Sequence, residues 1–413
     1  MCIRDRFREI QSKVEQHQAR KPKLQGAEVQ AVIERSKPRE TRVHLRGDFL
    51  NPGVRVTAAV PRVFPDLEIT EGSPSRLDFA EWLFRDGHPT TARTEVNRIW
   101  LRLFGEGLVR SPEDFGTQGD LPTHAELLDW LSVEFQRLGW SRKRLIRTIL
   151  LSETYQQSSA VRPELWTRDP ENKWLARQNR LRLEAEVIRD ISLQASGLLD
   201  ETVGGPSVRP PQPKGYNALT YANSAKWEES QGGDAHRRGL YTFFQRTSPY
   251  PMLMTFDCPD ANQSVVMRNR SNTPLQALTL WNERVFFQCH QAMAGEVLAE
   301  WPDSATDASK EFQRSRLNWC VARTLGRPLT FEEEETFLHL YEATKSRLLS
   351  FPAGSEDLEA LIGGQHLGQQ RADLSGKRSN ELKVELATWI LICRTLMNLD
   401  EFISCLLYTS PSP

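Results

Sequence analysis

The chain has 413 residues, of which 39% are hydrophobic and 11 are Trp, and this is enough for a buried core and for two or three domains. Its 53 basic and 54 acidic residues leave almost no net charge to attract a polyanion. Nucleic-acid binding needs a concentrated basic face, and none is visible in the sequence, so no nucleic-acid partner is expected. No apolar run reaches the roughly 18 residues that cross a bilayer, so no membrane span is expected either.

Both ends of the chain have the pattern of a sequencing adapter. Met1–Arg6 can be encoded by DNA whose reverse complement reads Cys-Leu-Leu-Tyr-Thr, which are the residues at Cys405–Thr409. We therefore expect residues 1–6 and 405–413 to be adapter-derived artefacts and the true N-terminus to lie upstream. Such segments are excluded from reasoning about the fold.

Residues 7–75 are predicted to be a charged lead-in or linker with one short strand. Within it, Thr41–Arg46 alternates between polar and apolar side chains, as a half-buried strand does. Asn51–Gly53 is typical of a turn. This region therefore contributes little to the predicted core.

Residues 76–404 are predicted to form one helical domain. Ala92–Phe104 carries apolar side chains at helical spacing, and Gly105 is a stop signal. Thr123 and Glu126 have the spacing of a capping box, in which the two side chains cap the first turn reciprocally. The pattern predicts a helix before Gly105 and another that starts after Thr123.

Further along, helical patterns alternate with irregular segments. Ser141 is typical of an N-cap, and Arg180–Leu198 is predicted to be a longer helix. Residues 204–233 are rich in Gly and Pro, which predicts a long, mobile functional loop. Leu240–Phe244 is predicted to be one short strand.

The C-terminal part is also predicted to be helical. Capping boxes are indicated at Thr273–Gln276, ahead of a helix that continues to Cys289, and at Thr330–Glu333. Leu382–Met397 has an apolar stripe, and residues 354–380 are the second candidate for a mobile loop. The predicted fold class is mainly α: a multi-helix globular domain with long Gly/Pro-rich loops and at most a few short strands.

Six polar side chains are candidates for holding an anion or sugar hydroxyls: Asn97, Arg98, Arg237, Arg238, Arg268 and Arg270. Arginine can bind a carboxylate or sulfate through two parallel hydrogen bonds. Structural interpretations remain open for all of them. Arg98 could pair with a nearby carboxylate, Arg237 and Arg238 would face opposite ways in a strand, and helix capping could explain the residues around Arg268.

Three side chains are candidates for acid–base catalysis: Asp114, His124 and Asp257. His124 could equally be a capping or packing residue. Position 128 is Leu, so the sequence offers no second ligand one helical turn after His124, and no metal site is predicted. No Cys-x-x-Cys pair and no Cys-x-x-Cys-His motif is present, so no cofactor is expected in this fragment.

Several polar motifs together carry a family resemblance: Val96–Trp100, Leu103–Val109, Ser111–Gly116, Pro122–Leu131, Ser152–Ser159, Asp169–Asn172, Arg180–Leu199, Gly204–Val208, His236–Tyr241, Phe256–Pro259, Arg268, Ser271–Leu278 and Asn398–Phe402. Taken together, these motifs make the chain resemble the C-terminal domain of unknown function in large planctomycete proteins that also contain cytochrome-c-type domains. The family has no established activity to carry over. The resemblance implies an exported or periplasmic protein, a metagenomic fragment of a longer chain, and haem only in a missing upstream domain.

The resemblance and the polar loops favour a non-catalytic accessory module. Its expected partners are the upstream cytochrome-c-like and other domains of the same chain, and an extracellular polysaccharide bound at the surface of the 105–122 and 204–233 loops. The alternative is a hydrolase-like enzyme with a dispersed Asp/His/Arg site built from Asp114, His124 and Asp257, with Arg98 and Arg268 stabilising negative charge.

Overall fold

A computed structural model describes residues 31–33, 39–69, 72, 74–213, 215–216, 226–301, 309–352, 355–363 and 379–405. The chain divides into two compact units, residues 1–89 and 90–413. Residues 1–6 and 406–413, where adapter-derived segments are predicted, lie outside the described residues. So do residues 217–225 and 364–378 of the two predicted mobile loops.

The first unit contains a hairpin and a short helix. Strand β1 (Thr41–His44) pairs antiparallel with β2 (Pro52–Val56), which confirms a strand where the alternating pattern predicts one. Helix α1 (Arg76–Leu83) is capped by Ser75, whose side chain forms a capping box with Asp78. The Trp82 indole N–H donates to the carbonyl of Pro65 at 2.7 Å and ties the helix to the preceding segment.

The helices of the second unit are α2 (Thr91–Phe104), α3 (Ala125–Arg137), α4 (Arg142–Leu150), α5 (Pro163–Arg168), α6 (Ala185–Ala195), α7 (Pro251–Thr255), α8 (Pro274–Asn282), α9 (Arg284–Glu300), α10 (Lys310–Thr324), α11 (Phe331–Leu349), α12 (Glu356–Ile362), α13 (Ser379–Leu396) and α14 (Asp400–Ile403). Strands β3 (Leu181–Arg182) and β4 (Ser404–Cys405) pair antiparallel. Helix α12 lies within residues 354–380, the second candidate for a mobile loop.

A first core forms where α2, α3 and α4 pack together. Apolar side chains of α2 recur every three or four residues, and Val96, Trp100 and Phe104 are buried as a result. They pack with a group from α3 and α4 that includes Phe135 and Leu145. The predicted helix over Ala92–Phe104 is therefore confirmed.

A second, larger core surrounds α9 and α13. Trp389, Ile390 and Cys393 of α13 are almost completely buried there. The predicted capping boxes at the starts of α8 and α11 are present, because Thr273 and Thr330 each accept a hydrogen bond from the third residue of their helix. In the second core, the helix starts and the buried helix face that the local sequence predicts are thus the ones that the tertiary packing uses.

Three predicted helix boundaries are wrong. Thr123 and Glu126 form no capping box, because the Thr123 hydroxyl donates to the Leu108 carbonyl at 3.3 Å and α3 begins one residue later. The helix predicted to continue to Cys289 breaks at Glu283, which caps α9 instead. The helix predicted from Arg180 begins at Ala185, because Leu181–Arg182 pairs with the C-terminal strand.

The strand predicted at Leu240–Phe244 is also absent. Gly239–Tyr241 forms a 3₁₀ turn, and only an isolated bridge joins Thr242 to Val208. A second 3₁₀ turn, Gly232–His236, precedes it. A single bridge is too short to extend into a sheet, so this stretch is a set of turns.

The architecture confirms the mainly α fold class. Along the described residues about 50% of the structure is helical, in 14 helices with two small two-stranded sheets. Among the described helices, none is both long enough and apolar enough to cross a membrane. Cys258, Cys289, Cys320 and Cys393 are buried and unbridged, and buried free cysteines commonly pack as small apolar residues.

Candidate functional site

One exposed edge of α2 carries two arginines. Arg98 and Arg102 are four residues apart and therefore lie on the same side of the helix. Gly105 ends α2 in the left-handed conformation, at φ +87°, which favours glycine. The apolar side of α2 faces the first core, so both guanidinium groups point away from it.

The opposite wall of the site is the segment Pro259–Arg270. Its start is held by Asp257, which accepts hydrogen bonds from Arg182, from the backbone and hydroxyl of Ser271, and from Gln276. Asp257 itself adopts a left-handed backbone at φ 63°. This network fixes the direction in which the segment leaves α7.

Between the two walls lies a cleft of about 430 Å³, here called the arginine cleft, lined by Arg98, Leu101, Arg102, Gly105, Glu184, Pro259, Val265, Val266, Met267, Arg268, Asn269 and Arg270. Four guanidinium groups face one carboxylate, that of Glu184. Within the described part of the chain, the guanidinium groups of Arg98, Arg102 and Arg270 make no hydrogen bond or ion pair. The cleft is therefore a local concentration of positive charge in a nearly neutral chain.

Arg268 is the one arginine of the cleft that is tied to carboxylates in the described structure. Its guanidinium lies 2.7 Å from Glu186 and 3.4 Å from Glu184. Burial by itself lowers the pKa of Arg268, but the hydrogen bond and charge of Glu186 outweigh it, so the pKa is raised. The same bond lowers the pKa of Glu186 against the opposing effect of burial. Arg268 thus stays charged and fixed in place.

Three of the predicted ligand-binding residues, Arg98, Arg268 and Arg270, converge in this cleft. Asn97 is fully buried behind it. Its side-chain amide donates to the Val109 carbonyl and accepts from the Val109 N–H, both at 2.9 Å. Both hydrogen-bonding ends of Asn97 are thus used to hold the chain after α2.

Arg237 and Arg238 lie elsewhere and have different partners. Arg237 is buried, lies over the Tyr241 ring, and donates to the carbonyls of Thr202, Gly204 and Pro206. Arg238 donates to the Asp190 carboxylate at 2.9 Å. Both contacts anchor turns, and the two side chains do not serve a common site.

The three acid–base candidates lie in separate hydrogen-bond groups. Asp114 accepts from the Gly116 N–H at 2.7 Å, within its own loop. His124 contacts the Thr123 hydroxyl at 3.1 Å next to the start of α3. Asp257 belongs to the network around Arg182, and none of the three lines the arginine cleft.

Sequence reasoning missed two charged residues of the cleft, Arg102 and Glu184, and its apolar wall at Val265–Met267. The spacing of Arg98 and Arg102 was a usable signal, because residues four apart share a helix face. No local signal connects α2 with residues 259–270. The cleft also lies away from the predicted surface, since Gly105 is its only contribution from the 105–122 loop.

Fold and cleft together define a mainly α-helical domain with an arginine-lined surface site. The chain belongs to the PSD1 family, described as a protein of unknown function (DUF1553), whose profile matches residues 75–341. The match agrees with the predicted domain of unknown function. Neither the curated proteins nor the solved structures contain a significant match to the chain.

Proposed function

We propose that the chain is a non-catalytic binding module that holds the anionic groups of an extracellular polysaccharide in the arginine cleft. The observation that carries this proposal is the set of three guanidinium groups, on Arg98, Arg102 and Arg270, without a partner in the described structure. Unpaired arginines that line one cleft repel each other, and an anion between them removes that repulsion. Carboxylate and sulfate groups fit the planar guanidinium fork.

The apolar part of the cleft supports a sugar over a bare inorganic anion. Val265, Val266 and Met267 are 45%, 38% and 53% exposed, beside the charged groups. The C–H face of a pyranose ring can cover such a surface while its acidic substituent meets an arginine. Ligand sites commonly combine apolar walls with a few placed polar groups.

A nucleic acid is the less suitable polyanion for this cleft. Single strands are held largely by bases that stack on aromatic side chains, and the residues that line the arginine cleft include no aromatic ring. The near-neutral charge of the whole chain gives no long-range attraction either. An acidic sugar needs only the local charge that Arg98, Arg102 and Arg270 supply.

The proposed setting comes from the family resemblance. There the module belongs to an exported protein and accompanies upstream cytochrome-c-like domains, which would carry the haem. Its task in that setting is to keep the longer chain on its polysaccharide. The hydrolase alternative receives no support from the separate positions of Asp114, His124 and Asp257.

The test is a titration of the full chain with dextran sulfate and with neutral dextran of the same length, followed by calorimetry. Only the sulfated polymer is expected to bind. Replacing Arg98 and Arg270 by Gln removes two charge-assisted contacts of about 1.5 kcal/mol or more each, so affinity should fall about 100-fold.

The matched control replaces two exposed arginines of α4, Arg144 and Arg147, by Gln and removes the same net charge away from the cleft. Its affinity should stay within about threefold of the parent, because distant surface charges are screened by salt. Equal losses in both double variants, or equal binding of the neutral dextran, would contradict the proposal.

A further inference from the structure

A second cleft opens beside the arginine cleft, with a volume of about 610 Å³. Here called the second cleft, it is lined by Phe104, Gly105, Glu106, Ser159, Val161, Pro170, Glu171, Arg177, Gln178, Asn179, Arg180, Leu181 and Arg270. Gly105 and Arg270 line both clefts. The two spaces therefore meet at the C-terminal end of α2.

We propose that the two clefts form one groove that holds an extended acidic polysaccharide, which crosses Gly105 and places successive anionic groups in each cleft. This inference rests on the proposed function and adds the form of the ligand to it. A single sugar or inorganic anion would occupy one cleft only. A chain with repeated anionic groups can use both.

The charge in the second cleft supports a polyanion in spite of its two glutamates. Glu106 lies 2.5 Å from Arg110, and Glu171 lies 2.6 Å from Arg110 and 3.0 Å from Lys173. These bonds lower the pKa of Glu171, the bond to Lys173 most. Both carboxylates are thus neutralised by basic residues outside the groove wall.

The arginines of the second cleft are less completely paired with carboxylates. Arg177 donates to the Pro170 carbonyl at 3.1 Å, a contact that leaves its charge uncompensated. Arg270 has no partner in the described residues and belongs to both clefts. Arg180 pairs with Asp400 and adds little net charge. Positive charge therefore continues from Arg98 and Arg102 through Arg270 to Arg177.

The junction between the two clefts is formed by Gly105, which lines both of them. Gly105 has no side chain to rise between the clefts, and its φ of +87° favours glycine. A Cβ there would lie 2.3 Å from a methyl carbon of Leu181, a wall residue of the second cleft, so the Leu181 side chain packs directly on the Gly105 backbone and requires glycine at this position. Each cleft alone falls within the range of about 300–1,000 Å³ that holds a ligand of drug size. Together they offer room for several sugar units.

The test compares a sulfated disaccharide with a sulfated octasaccharide of the same glucan, titrated into the full chain by calorimetry. The octasaccharide is expected to bind about tenfold more tightly or better, because its second contact is intramolecular. Arg98→Gln should weaken both ligands. Arg177→Gln should weaken the octasaccharide about fivefold or more and leave the disaccharide unchanged, and Arg147→Gln is the control.

The outcomes separate the two proposals. Equal affinity for both lengths, with loss only in Arg98→Gln, would overturn the continuous groove and leave the arginine cleft as a single site. No binding of either ligand would overturn the proposed function itself. Equal or tighter binding of polyglutamate or of a single-stranded oligonucleotide of matched charge would overturn the polysaccharide as the occupant.

Discussion

A buried carboxylate at the centre of the second core gives the sharpest test of how the fold is held together. Glu385 on α13 accepts hydrogen bonds from Arg316 at 3.0 Å, Tyr341 at 2.7 Å and Trp389 at 3.0 Å, and pairs with Lys345 at 2.7 Å. The side chain of Arg316 has no exposed surface, and that of Glu385 is 2% exposed. Burial, together with the Glu385 charge, raises the pKa of Tyr341, so its hydroxyl donates.

Glu385→Gln keeps the shape and removes the charge. Removing one partner of a buried ion pair costs about 3–5 kcal/mol, because the other charge stays buried without compensation. Gln retains one acceptor oxygen, so we expect a loss of about 3 kcal/mol, towards the lower end. The new amide N–H₂ would also face donors on Arg316, Tyr341 or Lys345.

The measurement is urea unfolding at constant pH, followed by far-ultraviolet circular dichroism. The control is Glu342→Gln, since Glu342 lies 4.0 Å from Lys310 and both side chains are more than half exposed. Such surface pairs contribute at most about 1 kcal/mol. A loss in Glu385→Gln no larger than in the control would refute the reasoning. Replacing both buried charges, as Arg316→Met with Glu385→Leu, should still destabilise the fold, because the Tyr341 hydroxyl and the Trp389 N–H then lose their buried acceptor at about 1–3 kcal/mol each.

Two further predictions concern pH and the buried amide behind the cleft. Burial lowers the pKa of His290 from 6.5 to about 3. As pH falls from about 7 to 5, this histidine therefore takes up a proton only in the unfolded chain. The free energy of unfolding of the wild type should fall by about 2 kcal/mol relative to that of His290→Gln over this range. The prediction is refuted if urea unfolding shows the same change in the free energy of unfolding between the two pH values for both proteins. Asn97→Ala leaves the Val109 N–H and carbonyl buried without their partner and should cost about 2–3 kcal/mol, measured by urea unfolding, with dextran sulfate affinity unchanged. Weaker binding at unchanged stability would instead assign Asn97 to the ligand.

The arginine cleft shows how a local charge differs from a net charge. Composition gives 53 basic and 54 acidic residues and argues against any polyanion. In the folded chain, however, α2 and residues 259–270 bring four arginines into one cleft, and of these only Arg268 is paired with carboxylates in the described structure. Because repulsion among them falls as salt rises, the binding of a sulfated ligand is expected to be strongest at low ionic strength. The net charge of the whole chain therefore gives no information about the local charge of the arginine cleft.

The sequence by itself determined the mainly α class, the helix that ends at Gly105, and the capping boxes at Thr273 and Thr330. These features depend on contacts between residues three or four positions apart, and the helix itself brings such residues together whatever the rest of the fold. It also singled out Arg98, Arg268 and Arg270 as candidates for an anion site. The ability of an arginine side chain to bind an anion sufficed for that.

Only the tertiary structure decided which candidates share a site and which are used by the fold. Arg268 meets Glu186 across 82 positions, and Leu181–Arg182 pairs with the C-terminal strand instead of joining α6. The Thr123 hydroxyl, expected to cap α3, bonds to the Leu108 carbonyl instead. A local pattern states which hydrogen bonds a side chain can make, and the packing of distant segments sets which partner is within reach.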